Sequence, residues 1–257
     1  MRKLLCYFLA ITFTTNAFAW GQKGHDVVAY IAECNLTPAV AQKVTKALNG
    51  HSLVYYANWM DNASHTPDYY YTSSWHYANV DEGLTYATMP RNKKGDVVTA
   101  ITLLVRQLEE KKLTAEQENR ALRMLIHFVG DLHCPMHAGR KSDLGGNKVP
   151  MKFFDNKTNL HSIWDSALVE AAHKWSYTEW QREVDRMTED EERLATQGSV
   201  EEWFNQTHTI ACEVYDSIPK SKTYAYNEIA KYAPVIEKQL LLGGLRLAYL
   251  LEQIYGD

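Results

Sequence analysis

The segment TAEQENRALRMLIHFVGDLHCPMH, residues 114–137, decides the fold class. It opens on Thr-Ala-Glu-Gln, close to a capping box. It then runs with helical apolar spacing through RALRMLIHFVGDLHC and stops before Pro135. His127 and Asp131 stand four residues apart, one above the other on a helix, so an imidazole and a carboxylate aim at one point. On an otherwise apolar helix an unpaired Asp131 would be costly to bury. Taken alone the pair is an ordinary helix-stabilising contact. Its weight depends on what the rest of the chain supplies.

The rest of the chain repeats the pattern. HDVVAYIAECNL places residues 27, 28, 31 and 32 on one helical face. Thr37 and Pro38 open a helix that closes on Asn49-Gly50. Segments 96–112, 158–172, 178–194, 199–217 and 223–255 also read as helix, the last with a break near Gly243-Gly244. KVPMKFF, 148–154, is the best candidate for a short hairpin, and 62–95 and 135–157 are long loops of the kind that carry function. The expected fold is all-α, a mostly helical single domain with at most one short β-hairpin.

The head of the chain reads as a secretory signal. Arg2 and Lys3 precede the ten-residue apolar run LLCYFLAITF, and Ala17-Phe18-Ala19 offers a cleavage site. The run is too short to span a bilayer, so the mature chain is expected to carry no membrane anchor and to be secreted or periplasmic. Cleavage at Ala19-Trp20 leaves residues 20–257, 238 in all, as one catalytic domain with 25 basic and 31 acidic residues, a formal charge of −6. That balance argues against nucleic-acid binding through lysine and arginine alone. Cys34, Cys134 and Cys212 remain; three thiols without CxxC spacing make no disulfide scaffold.

The ten histidines cluster where carboxylates do. His161 and Asp165 form a second i,i+4 pair, His137 lies just past the helix of His127, and Asp61 and His76 flank a tyrosine-rich loop. Imidazole with carboxylate suits zinc or iron. The repeated Glu-x-x-His of di-iron bundles and the His-Glu-x-x-His of metalloproteases are both absent, which favours zinc. A freshly cleaved Trp20 would add its amino nitrogen and carbonyl oxygen as a chelate, with His25 about 1.4 turns on to complete it. The bland alternative is that Trp20 is an apolar plug.

Trp20, His25, Asp61, His76, HFVGDLHCPMH (127–137), GGN (145–147) and HSIWD (161–165) together resemble the secreted zinc-dependent single-strand nucleases of fungi and plants, the nuclease S-one/P-one type to which mung bean nuclease belongs, within the zinc phospholipase C superfamily. The resemblance implies a helical domain whose cleft holds three Zn2+. One ion falls to Asp61, His76, His127 and Asp131. A second falls to Trp20, His25 and the bridging Asp131, and a third to His137, His161 and Asp165. Asp61 and Asp131 become the catalytic carboxylates of a two-metal pair. Three divalent ions would offset the charge of −6 and concentrate positive potential in the cleft.

The implied activity is hydrolysis of single-stranded DNA and RNA to 5′-mononucleotides, with removal of 3′-phosphates from nucleotides and no stable protein partner. Tyr77 stacks on a base in that reading, Asn79 stands where the family carries aspartate, and Asn147 lies near phosphate and base. Ser64 replaces a basic residue of the family. Cys134 is not counted as a ligand. The alternatives are a zinc-dependent phospholipase C, which typically ends its ligand set on Glu and has a shorter gap than the 24 residues from His137 to His161, and a non-catalytic zinc-binding protein.

Overall fold

The computed structural model describes residues 20–256. The expected signal, 1–19, and the last residue of the expected catalytic domain lie outside the described residues. The helices and strands run α1 (Gln22–Cys34), α2 (Pro38–Ala47), α3 (Leu53–Tyr56), α4 (Trp59–Ala63), α5 (Val97–Glu109), α6 (Ala115–Leu132), β1 (Pro150–Phe153), β2 (Asn156–Asn159), α7 (Leu160–Ser162), α8 (Leu168–Ala172), α9 (Tyr177–Val184), α10 (Glu189–Ala195), α11 (Val200–Asp216), β3 (Thr223–Tyr224) and α12 (Tyr226–Tyr255). The architecture is mostly helical, as expected, with one small sheet of strand order β2-β1-β3.

Local chemistry explains most boundaries. The Thr114 side chain accepts from the Gln117 N–H at 3.3 Å and the Gln117 side chain accepts from the Thr114 N–H at 2.9 Å, a complete capping box on α6. Asp96 and Thr99 do the same for α5. Thr37 precedes α2 without capping it. Its hydroxyl and N–H both donate to the Glu252 carboxylate of α12, tying two distant segments together.

Four details depart from the sequence reading. Segment 178–194 is two helices, α9 and α10, because the chain turns at 185–188 and Thr188 starts a new capping box. The head of 223–255 is β3, which pairs in parallel with β1 through Lys152↔Thr223 and Phe153↔Tyr224. Segment 158–172 begins as the end of β2 and is interrupted at Ile163–Ala167 by a π turn. Gly243-Gly244 does not break α12, which continues for 30 residues.

Those two glycines mark a close helix crossing. A Cβ on Gly244 would sit 2.4 Å from Cβ and Cγ2 of Ile31, and one on Gly243 would sit 3.1 Å from Val28 Cγ2. The absent side chains let α12 approach α1 along the Val28–Ile31 face. That buried contact fixes α1, and α1 carries His25 to the floor of the site.

Candidate metal centre

Five elements converge on one buried cluster. His25 comes from α1, Asp61 from α4, His127 and Asp131 from α6, His137 from the 3-10 turn Pro135–Ala138, and His161 and Asp165 from α7 and the π turn after it. His76 reaches in from the loop ahead of α5. All eight side chains are at most 9% exposed, and Asp131 and His127 are fully buried. Titratable groups at that depth need partners or neutralisation.

Three ligand groups emerge whose donor atoms lie within 4.8 Å of one another: His25, His127 and Asp131; Asp61, His76 and His127; and Cys134, His137 and Asp165. His127 Nε2 stands 3.4 Å from Asp61 Oδ1 and 3.3 Å from Asp131 Oδ2. His25 Nε2 stands 3.5 Å from Asp131 Oδ1. These separations are long for charge-assisted hydrogen bonds. They match the edge of a tetrahedron, roughly 3.3 Å, whose centre lies at zinc–nitrogen and zinc–oxygen bonding distance from its corners. His76 Nδ1 makes the one short contact in the group, 2.9 Å to Asp131 Oδ2.

The rings are oriented from behind. His127 Nδ1 lies 2.7 Å from the Ala57 carbonyl, His137 Nδ1 2.7 Å from that of His76, and His161 Nδ1 2.8 Å from that of Gly145. A carbonyl only accepts, so each Nδ1 carries a proton and each ring is held in a fixed orientation by the backbone behind it. Gly145 sits at φ +63, where a Cβ would meet the Met136 carbonyl at 2.5 Å. Glycine there brings the carbonyl to His161 without strain. Gly130 leaves room for the His25 ring, which stacks on His127 with centroids 4.0 Å apart.

The electrostatics of the cluster are uneven. Burial works against charge on His127, yet Asp131 and then Asp61 outweigh it and hold its pKa well above the ordinary value. Burial likewise opposes ionisation of Asp131, but His127 and His137 pull its pKa well below the usual range. For Asp165 the compensation is outweighed. Burial, then the charges of Asp61 and Asp131, push its pKa far up against the pull of His127 and the Ser166 hydrogen bond. His137 Nε2 lies 3.9 Å from its Oδ1, and burial lowers that imidazole to about 4. Asp165 Oδ1, Asp131 Oδ1, both His25 nitrogens and His76 Nε2 are buried without a hydrogen-bond partner. A buried carboxylate whose ionisation is disfavoured, beside ring nitrogens and carboxylate oxygens without hydrogen-bond partners, is the donor chemistry of a cation site, so the residues fit divalent metal.

The cluster opens into a cavity of about 330 Å³. Asp61, His76, His137 and His161 line its floor, and Tyr77, Asn79 and Asn147 its wall. Tyr77 is 39% exposed, so it is no core tyrosine. Ser64, His65, Ser73, Met136 and Leu144 complete the lining, and no lysine or arginine takes part. Of these, Leu144 had no signal in the sequence: it is a large apolar side chain, 51% exposed, held in left-handed backbone at φ 58.

Trp20 is fully buried, and the Gly21 N–H donates to the Asp165 carbonyl at 2.6 Å. The start of the described chain therefore lies against the π turn that carries Asp165. Cys134, not counted as a ligand from the sequence, has its sulfur in the His137–Asp165 group. Burial and then Asp165 raise the thiol well above its usual pKa, which keeps it neutral. All three cysteines of the described residues are free.

The sequence model of the S1/P1 nuclease family matches residues 20–256. Endonuclease 3 of Arabidopsis thaliana is 28% identical over 286 aligned residues, covering 100% of this chain and 96% of its own length. Nuclease PA3 of a Penicillium species is 25% identical over 93% of this chain and 98% of its own length. Nuclease P1 of Penicillium citrinum is 30% identical over 155 residues, 57% of each chain.

Proposed function

Because the chain belongs to the S1/P1 nuclease family, we propose that it is a secreted zinc-dependent phosphodiesterase that hydrolyses single-stranded DNA and RNA to 5′-mononucleotides and also removes 3′-phosphates from nucleotides. The observation that carries the reading is a cluster of three buried carboxylates among imidazoles beside a cavity that no lysine or arginine lines. A phosphodiester is an anion, and this chain presents it with acids and imidazoles. Only bound cations reverse the sign of that surface.

Three zinc ions are the proposed complement. Asp61, His76, His127 and Asp131 hold the first. The backbone nitrogen and oxygen of Trp20, with His25 and Asp131, hold the second. His137, His161 and Asp165 hold the third. Bound there, zinc supplies positive charge to the phosphoryl oxygens and the leaving 3′ oxygen and lowers the pKa of water. The chain's own residues do the rest. Asp131, facing His25 through one oxygen and His76 and His127 through the other, fixes the spacing of the first two sites. The carbonyls of Ala57, His76 and Gly145 keep three imidazoles in the tautomer that ligates. Tyr77 offers a face on which a base stacks, worth about 1–3 kcal/mol. Asn79 and Asn147 meet the base edge and phosphate. Asn79 Oδ1 is buried without a partner, as an acceptor awaiting a donor would be.

The Trp20 ligand requires a free amine, so the reading includes removal of residues 1–19 and a single catalytic domain from 20 onward. The decisive experiment measures hydrolysis of single-stranded DNA, RNA and phosphatidylcholine micelles side by side, on protein beginning at Trp20 and purified without chelator. Cleavage of both nucleic acids with near three zinc per chain is the expected result. Turnover of the lipid alone, or of nothing, would overturn it, and one zinc per chain would overturn the trinuclear assignment.

A further inference from the structure

A second hollow, of about 540 Å³, adjoins the first and shares three lining residues with it: Tyr77, Asn79 and Leu144. Its chemistry is different. Arg91, Lys93, Lys94 and Lys141 stand around it, where the first cavity has no cationic side chain. Lys93 and Lys94 are exposed and form no ion pair among the described residues. Arg91 is held in place with its guanidinium 3.6 Å over the Tyr86 ring.

The floor is built as well. Asp96, 2% exposed, lines this hollow. Its Oδ1 accepts from the Tyr86 hydroxyl at 2.8 Å and from the Thr99 N–H at 3.0 Å, which locks the carboxylate. Its Oδ2 is buried and bonds nothing. The apolar wall comes from Met89 and from the exposed ridge of Tyr77 and Leu144. An exposed leucine in left-handed backbone is a costly thing to hold at a surface. Here it divides two hollows of unlike charge.

We propose that this hollow is a second nucleotide subsite, which takes the neighbouring nucleotide of a single strand on the side away from the metal ligands, with its base against Met89 and the exposed Leu144, beyond the base held by Tyr77, and its phosphate among Arg91, Lys93 and Lys94. The proposal rests on the nuclease reading. It follows from the order of chemistry along the groove: metal ligands, stacking ridge, then an acceptor floor under a cationic rim. The metal centre serves one phosphate, and the rim serves the next. A mononucleotide or dinucleoside monophosphate, whose one phosphate is taken by the metal centre, leaves the rim unused.

The test compares the wild-type protein, with its metal, to the double variant Lys93→Glu/Lys94→Glu. Both positions are exposed, and equal melting temperatures would confirm that the fold is kept. For a single-stranded hexanucleotide, KM should rise about tenfold with kcat within about twofold, and the salt dependence of KM should flatten, because phosphate contacts release counterions. Hydrolysis of a dinucleoside monophosphate should be unchanged. An unchanged KM for the hexanucleotide, or equal losses on both substrates, would overturn the subsite. Failure of the wild-type protein to cleave either substrate would instead overturn the nuclease reading itself.

Discussion

Gly130→Ala is the most informative single perturbation of the metal centre, because it adds one methyl group and improves the helix. Alanine in place of glycine inside α6 favours the helix by up to about 1 kcal/mol, so secondary structure and folding should survive. The new Cβ, however, would lie 2.7 Å from His25 Nδ1 and 3.1 Å from Cε1. Relieving that overlap means moving the ring by roughly 0.8 Å. The ring is confined further by His127, on which it stacks with centroids 4.0 Å apart and 15° between planes. Metal–ligand lengths tolerate about 0.2 Å. His25 therefore leaves the ligand sphere of the second proposed site or pushes His127 within the first. Disturbing the support of a ligand costs about ten- to a hundredfold in affinity, which is about 1.4–2.7 kcal/mol. Competition with a chromophoric chelator would read the affinity of each ion, with far-ultraviolet circular dichroism as the control on the helix. Gly130→Ala protein that binds every zinc as tightly as wild type, with full turnover, would refute the placement of His25 as a ligand.

Asp131→Asn should abolish activity more completely than His25→Ala, since Asp131 faces four imidazoles at 2.9–3.5 Å and His25 serves one proposed ion; equal mild losses would contradict the bridge. Tyr77→Ala should weaken single-strand binding and leave zinc content intact, measured by equilibrium binding and metal analysis, with about 1–3 kcal/mol lost per stacked base. Stripping the metal should lower the melting temperature, because ligands present at a thousand times their dissociation constant contribute about 4 kcal/mol each; an unchanged melting curve would mean the cluster holds no ion. Thiol titration should find Cys34, which is exposed, reacting first and Cys134, which is buried, reacting only on unfolding.

The parts of this molecule legible in the sequence are those written in local chemistry. The capping box at Thr114, the apolar face of α6 and the stop at Pro135 each depend on neighbours a turn away, and the structure keeps all three. Gly243-Gly244 shows where that logic ends. Locally the pair argues for a break, but Ile31 lies 213 residues before Gly244 in sequence and needs the space. The parallel pairing of β3 with β1 and the grip of Glu252 on Thr37 were hidden for the same reason. Neither partner carries a mark of the other.

The site shows the same division. Ligand types and their spacings are properties of the chain, so every proposed side-chain ligand could be named from sequence, and the fold gathers the eight of them in one place. What the sequence could not show is what makes them ligands. Three imidazoles owe their orientation to backbone carbonyls, which every residue possesses and no residue type advertises. The π turn at 163–167 changes the simple i,i+4 geometry expected of His161 and Asp165. Leu144 takes its place in the cleft through a backbone angle, not through its chemistry. Asp165 carries the argument furthest. A carboxylate 3% exposed, raised far above its ordinary pKa, with an unpartnered oxygen and an uncharged imidazole for a neighbour, would be destabilising in a protein that bound nothing there. Replacing it with leucine would relieve that cost in the metal-free chain. Such a group, set where four other elements bring their own donors, is the one that the proposed third ion would stabilise most.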